Sequence, residues 1–130
     1  MDLNSYLGIH TQALAVEARR TEVLAANLAN VDTPNYKARD IDFKTALATA
    51  SAQSADPNTA GAAGAAGSNG ASTADAQLKY RVPLAPSLDG NTVDEQLEQA
   101  AFAENGVRYQ ATLTLLNSKL RALMTAITGQ

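Results

Sequence analysis

The chain has no cysteine. A disulfide, a thiolate nucleophile and a cysteine-based metal cluster are therefore excluded, while the compartment stays open. Tryptophan is also absent and aromatics make up only 5% of the residues, so leucines have to do most of the packing. No stretch approaches the ~18 consecutive apolar residues of a membrane span. The first ten residues carry Asp2 and no positive flank before an apolar run, so they do not read as a cleavable secretory signal. Basic residues number 10 against 13 acidic ones, and no basic stripe with interleaved aromatics occurs, which argues against a nucleic-acid partner.

Residues for chemistry are equally sparse. His10 is the single histidine and has no HxxxH or His-carboxylate companion, so a place on a helix seam or interface is the expectation for it. The carboxylates are scattered on helix faces, at spacings that suit solvated pairs better than acid/base work. The glycines from Gly61 to Gly70 lack the adjacent strand and GK[ST] of a phosphate loop. No catalytic residue, metal, cofactor or small-molecule substrate is expected, and a hydrolase is the poorest of the readings.

What the sequence does contain is helical periodicity at both ends. Leu3, Leu7, Leu14, Leu24, Leu28 and Val31 recur at spacings that fit an amphipathic helix over residues 1–31, with Asn4 or Ser5 as a possible cap. Asp32-Thr33-Pro34 stops it, because proline disfavours helical geometry at the residue before it. Near the other end Phe102, Gly106, Tyr109, Leu113, Leu116, Leu120, Leu123 and Ile127 step by four and three, a heptad seam within a helix over 92–128. Thr92-Val93-Asp94-Glu95 matches a capping box, and Glu104 with Arg108 is spaced as an i,i+4 pair. Gly106 on the seam costs ~1 kcal/mol relative to alanine, which close approach of a neighbouring helix would explain.

Between the helices, residues 32–47 read as a turn and arm, and 48–77 as a flexible low-complexity loop reaching on the order of 30 Å. Residues 78–91 read as an extended arm, ended by Pro83 and Pro86, with Asp89-Gly90-Asn91 as a turn. The expected fold is all-α dominated: an antiparallel coiled-coil hairpin of the two terminal helices, both chain termini at one end. Burying a large apolar side chain contributes about 1.5–3 kcal/mol, whereas ordering each residue costs about 1–2 kcal/mol. About a dozen seam residues do not order both helices alone, so other chains are expected to complete the core.

The stretch ANLANVDTPNYKARDIDF, Ala26 to Phe43, resembles the signature of bacterial flagellar rod, hook and other axial proteins, and the chain as a whole is similar to the proximal rod proteins among them. The matching positions are Asn27, Asn30, Thr33, Pro34, Tyr36 and Lys37. Asn35 stands where the family commonly has glycine, a mild departure, since asparagine tolerates positive φ at the third position of a turn. DGNTVDEQLEQAAFAENGVRYQATLTLLNSKLRALMTAI extends the likeness, which covers roughly residues 3–47 and 78–128 and fails in the middle.

The resemblance implies a subunit of the basal-body rod that crosses the periplasm, exported without a cleaved signal through the flagellar type III apparatus. Implied partners are proteins of the FliE, FlgC, FlgF and FlgG types, further copies of the chain and the export gate. Implied contact residues are Leu7, Leu14, Leu24, Asn27, Leu28, Asn30, Thr33, Pro34 and Tyr36 on the first segment. On the last they are Phe102, Tyr109, Leu113, Leu116, Leu120, Leu123 and Ile127. Phe43-Lys44-Thr45-Ala46-Leu47 fits an export-gate pattern through Phe43 and Leu47, with packing against the helix pair as an equal reading of Phe43. A cytosolic helical adaptor or export chaperone is the alternative function.

Overall fold

The structure, a computed structural model, describes residues 3–55 and 78–129. Its elements are α1 (Leu3–Ala29), β1 (Arg39–Ile41), α2 (Phe43–Ala55), β2 (Leu78–Tyr80) and α3 (Glu95–Thr128). The fold is mostly helical, with the two long terminal helices in contact and a two-stranded antiparallel sheet beside them. The long helices run antiparallel: Asn27 meets Glu98, Thr21 meets Asn105 and Glu17 meets Thr112.

β1 and β2 pair in the register Arg39 to Tyr80, Asp40 to Lys79 and Ile41 to Leu78. Ile41 points inward and joins Val16, Val23 and Ala46 in the apolar core, with Phe43 and Leu78 packed on it. The core therefore lies at the sheet end of the molecule, between α1, α2 and the strands. On a helix turning about 100° per residue, Val16 and Val23 stand on a different flank from Glu17 and Leu24. α1 thus buries two faces, an apolar one towards α2 and a more polar one towards α3.

Three local expectations are corrected. Residues 43–55 form α2 where an arm and the start of a loop were expected. Asp42 caps it, its Oδ1 accepting from Thr45 N at 3.3 Å, and the segment is alanine-rich with neither glycine nor proline. The glycine-bearing remainder of the expected loop lies outside the described residues.

The second correction concerns the α3 cap. It is Asp94, whose side chain accepts from Gln96 N and Leu97 N at 3.1 and 3.2 Å. Thr92 is drawn away from a capping box because its hydroxyl accepts from Ala38 N at 2.8 Å.

The third is the seam of α3. Tyr109, Leu113, Leu116 and Leu123 are half-buried, but Phe102, Gly106, Leu120 and Ile127 are exposed, and the fully buried positions are Glu98 and Asn105. α1 presents polar groups at that level, so the helix turns its polar partners inward and leaves part of its apolar seam outside.

Candidate assembly site

The backbone leaving α1 needs partners for its last carbonyls, because a helix end leaves four of them unsatisfied. Asn30 supplies one, its amide donating to Ala26 O at 2.7 Å. The next two are met locally, Asn27 O accepting from Asn30 N at 3.1 Å and Leu28 O from Val31 N at 3.4 Å, and it is the carbonyls just past the helix that are met from across the molecule. The Asn91 Nδ2 group lies 3.0, 2.7 and 3.0 Å from the carbonyls of Asn30, Val31 and Thr33, a shared contact for its two hydrogens. Asn91 Oδ1 in turn accepts from Val93 N at 2.8 Å, which fixes the amide's orientation.

The turn that follows is shaped to receive the same segment. Tyr36 N donates to Thr33 O at 3.3 Å, placing Pro34 and Asn35 at the two central positions, and Asn35 has φ 61°. This is the positive φ that the asparagine was expected to tolerate. Asn35 N donates to Asp89 O at 2.9 Å, and Thr92 N to Tyr36 O at 3.0 Å. The Lys37 ammonium donates to Gly90 O at 2.7 Å. Gly90 has φ 76°, and a Cβ on it would stand 2.6 Å from Asn35 Oδ1. The Thr-Pro-Asn-Tyr-Lys turn and the Asp-Gly-Asn-Thr turn are thus two halves of one clasp.

Beneath the clasp is a neutral layer of two cations and two anions. Arg20 holds Asp40 with two bonds, Nε to Oδ1 at 2.9 Å and Nη2 to Oδ2 at 3.0 Å, and Arg81 Nη2 reaches the same Oδ2 at 2.7 Å. Arg81 Nη1 lies 2.8 Å from Glu98 Oε1, a charge contact without hydrogen-bond alignment. Asn27, fully buried, donates to Glu98 Oε2 at 3.1 Å and to Arg39 O at 2.6 Å, and its Oδ1 accepts from Arg39 N at 3.1 Å. A side-chain amide here acts as a surrogate strand on the free edge of β1, which otherwise offers unpaired backbone groups. α1, both strands and α3 are tied together in this layer.

Burial pushes the Asp40 carboxyl up, but the bonds from Arg20 and Arg81 outweigh it and hold Asp40 below the ordinary carboxylate range. For Glu98 burial prevails and raises the carboxyl, with Asn27 and Arg81 opposing. Outside the layer, the bond from Lys79 and those from Thr45 pull the exposed Asp42 down to about 2.

Two turns further along α3, Asn105 Nδ2 donates to Glu17 O at 2.8 Å and to Thr21 Oγ1 at 2.9 Å. The Glu17 carboxylate is 3% exposed, and of its oxygens Oε1 accepts from Thr112 at 3.2 Å while Oε2 has no partner. Burial raises its pKa, against the Thr112 bond and the charge of Arg108.

Of the implied contact residues, Leu24 and Asn27 are fully buried within the chain. Leu7, Leu14, Leu28, Asn30 and Tyr36 are half-buried, and Thr33 and Pro34 stand exposed on the outside of the clasp. Phe43 and Leu47 are half-buried, Phe43 against the core. His10 is half-buried on α1.

The sequence reading missed Glu17, Arg20, Asp40, Arg81, Asn91, Glu98 and Asn105. Periodicity counts apolar positions and is blind to buried polar ones. The available signal was that Glu98 and Asn105 are seven apart, two turns on one face of the last helix.

Fold and clasp together define a helical protein whose two ends are joined to each other by paired terminal motifs. The family described as flagella basal body rod protein matches at residues 7–37, the span from the second turn of α1 through the clasp turn. The chain is 48% identical over 124 residues to the flagellar basal body rod protein FlgB of Cereibacter sphaeroides, covering 95% of this chain and 94% of that one. It is 42% identical over 132 residues to FlgB of Salmonella typhimurium strain LT2, covering 98% and 96%. With FlgB of Escherichia coli K12 the figures are 38% over 130 residues, covering 96% and 94%.

The chain therefore belongs to the FlgB family of flagellar basal body rod proteins. It is a structural subunit of that rod and not an enzyme. No helix among the described residues is long and apolar enough to cross a membrane.

Proposed function

We propose that the chain builds the proximal part of the rod through its terminal helices, with the exposed share of the α3 seam as the surface that neighbouring subunits cover. The observation that carries this is that the seam is wider than α1 can cover. Phe102 and Leu120 are each 40% exposed and Ile127 82%, and all three lie on one flank of α3 beside the half-buried Leu113. An apolar stripe left open along a 34-residue helix marks an interaction surface. The implied contacts on that stripe, with Thr33, Pro34 and Tyr36 at the clasp, are the candidates for it.

The neighbours proposed are further copies of the chain and rod components of the FliE, FlgC, FlgF and FlgG types. Travel to the site is proposed to run through the flagellar export gate, with Phe43 and Leu47 recognised before folding and Phe43 packed against the core afterwards. Family membership favours the rod over the cytosolic adaptor.

The test is Leu120→Asp. The side chain is partly exposed, so the isolated chain is expected to keep its helix content, while immunoblots of purified basal bodies lose the protein and swimming stops. Normal incorporation of the aspartate variant would contradict the proposal.

A further inference from the structure

Asparagine is followed by glycine twice in the chain, at Asn69-Gly70 and at Asn105-Gly106. The first pair lies outside the described residues. The second lies within α3, with Asn105 only 1% exposed and Gly106 on the outer face. Among the described residues nothing demands that glycine: its φ is not positive, and a Cβ built on it meets nothing within 4 Å. What glycine does change is the chemistry of the residue before it, because its backbone nitrogen carries no side chain to hinder an attack.

The reaction open to such a pair is internal. Gly106 N, losing its proton to solvent base, attacks Asn105 Cγ. The N–Cγ bond forms, the Cγ–Nδ2 bond breaks, and Nδ2 leaves as ammonia, which closes a cyclic succinimide. Water then opens the ring at either carbonyl and leaves aspartate or isoaspartate. The sum is one water consumed and one ammonia released, with no other reactant.

The fold closes this route twice. Within α3 the backbone at Asn105 is helical, with ψ near −42°, which turns Gly106 N away from Cγ and commits its N–H to the carbonyl one turn earlier. The leaving group is also held, since Asn105 Nδ2 donates to Glu17 O at 2.8 Å and to Thr21 Oγ1 at 2.9 Å. Neither restraint exists once α3 unwinds.

The product does not fit back. Both partners of Nδ2 accept: Glu17 O is a carbonyl, and the Thr21 hydroxyl spends its own hydrogen on Glu17 O at 3.0 Å. A carboxylate at this position would face that carbonyl oxygen to oxygen, and Thr21 could serve it only by abandoning Glu17 O. The same interface already buries the Glu17 carboxylate, whose Oε2 has no partner, so a second negative charge enters where the first is unsatisfied. Isoaspartate adds a methylene to the backbone itself and breaks the hydrogen-bond ladder of α3.

We propose that Asn105-Gly106 is a self-modification site, closed by the helix pair and open in the unwound chain, whose deamidated product α1 and α3 reject. The pairing of the terminal helices thereby selects chains that have not aged at this position. The inference goes beyond the assembly reading and does not depend on it.

The test is peptide mass mapping of the full-length chain after incubation in mildly alkaline buffer, with and without guanidinium chloride. In denaturant Asn105 and Asn69 are both expected to convert. In buffer Asn105 is expected to convert at least about tenfold more slowly than in denaturant, because attack waits on local unwinding. Equal rates at Asn105 in the two conditions, or conversion of Asn69 alone in denaturant, would overturn the proposal. Gly106→Ala is expected to slow conversion of Asn105 in denaturant about tenfold, and an unchanged rate would overturn the route through the glycine nitrogen. Rejection of the product is read separately by melting. Asn105→Asp is expected to melt about 5 °C or more below Asn105→Ala, which loses the same bonds without adding a charge. An aspartate variant as stable as the alanine one would overturn that part.

Discussion

Gly90 sits where two constraints coincide, a φ of 76° and a neighbouring oxygen 2.6 Å from where a Cβ would stand. Gly90→Ala is expected to cost about 1–2 kcal/mol from the backbone alone, with more from the displaced Asn35, and to lower the melting midpoint accordingly. Circular dichroism against temperature reads this directly, and Gly106→Ala serves as the control expected to raise stability by up to ~1 kcal/mol.

Glu17 makes a prediction of opposite sign to the usual carboxylate. Its folded pKa is raised, so the fold binds its proton more tightly than the unfolded chain does. Its contribution is therefore most favourable below the ordinary glutamate pKa and is lost as pH rises through the raised folded value. Asp40 and Asp42, both lowered, behave the other way, and their contributions fade as pH falls through their folded pKa values. Glu17→Gln removes the buried charge while keeping an oxygen to accept from Thr112, and is expected to raise the melting midpoint at pH 7. It should also remove the part of the stability change between pH 7 and pH 4 that Glu17 causes. An unchanged pH profile in the variant would show that Glu17 is ionised at no cost.

At the scale of elements, α3 depends on Asp94 for its start. Asp94→Ala frees two backbone N–H groups and removes a negative charge from the positive end of the helix, an expected loss of about 1 kcal/mol, measurable as a lower midpoint. Thr92→Ala tests a different contact, the bond to Ala38, and is expected to loosen the clasp without shortening α3.

The two terminal helices were legible because their apolar spacing is long and regular. α2 was not. Its alanines merged with those of the glycine-bearing segment that follows, and the signal that separates them, Asp42 three residues before Thr45 with no glycine until Gly61, is local and faint. The clasp was half legible. Pro34 and Asn35 announced the turn, and Asp89-Gly90-Asn91 announced another, but nothing along a single chain says that turns more than fifty residues apart meet. The ionic layer was invisible for the same reason, since Arg20, Asp40, Arg81 and Glu98 come from four separate segments.

Taken whole, the molecule has its apolar core and its clasp at one end, and a long helix pair with a partly open seam running away from them. This division of labour places folding at the sheet end and leaves the seam for other chains. Deleting much of residues 55–72, an alanine- and glycine-rich stretch, is expected to leave motility and incorporation intact, as scored by swimming on soft agar and basal-body immunoblots.

The central claim is that the open flank of α3 is covered by other subunits in the rod. The direct measurement is a cryo-microscopy reconstruction of intact basal bodies at side-chain resolution. The account predicts α1 and α3 paired as here, with Phe102, Leu120 and Ile127 buried against neighbouring chains. A rod in which that flank faces open solvent, or in which α1 and α3 have parted, would contradict it.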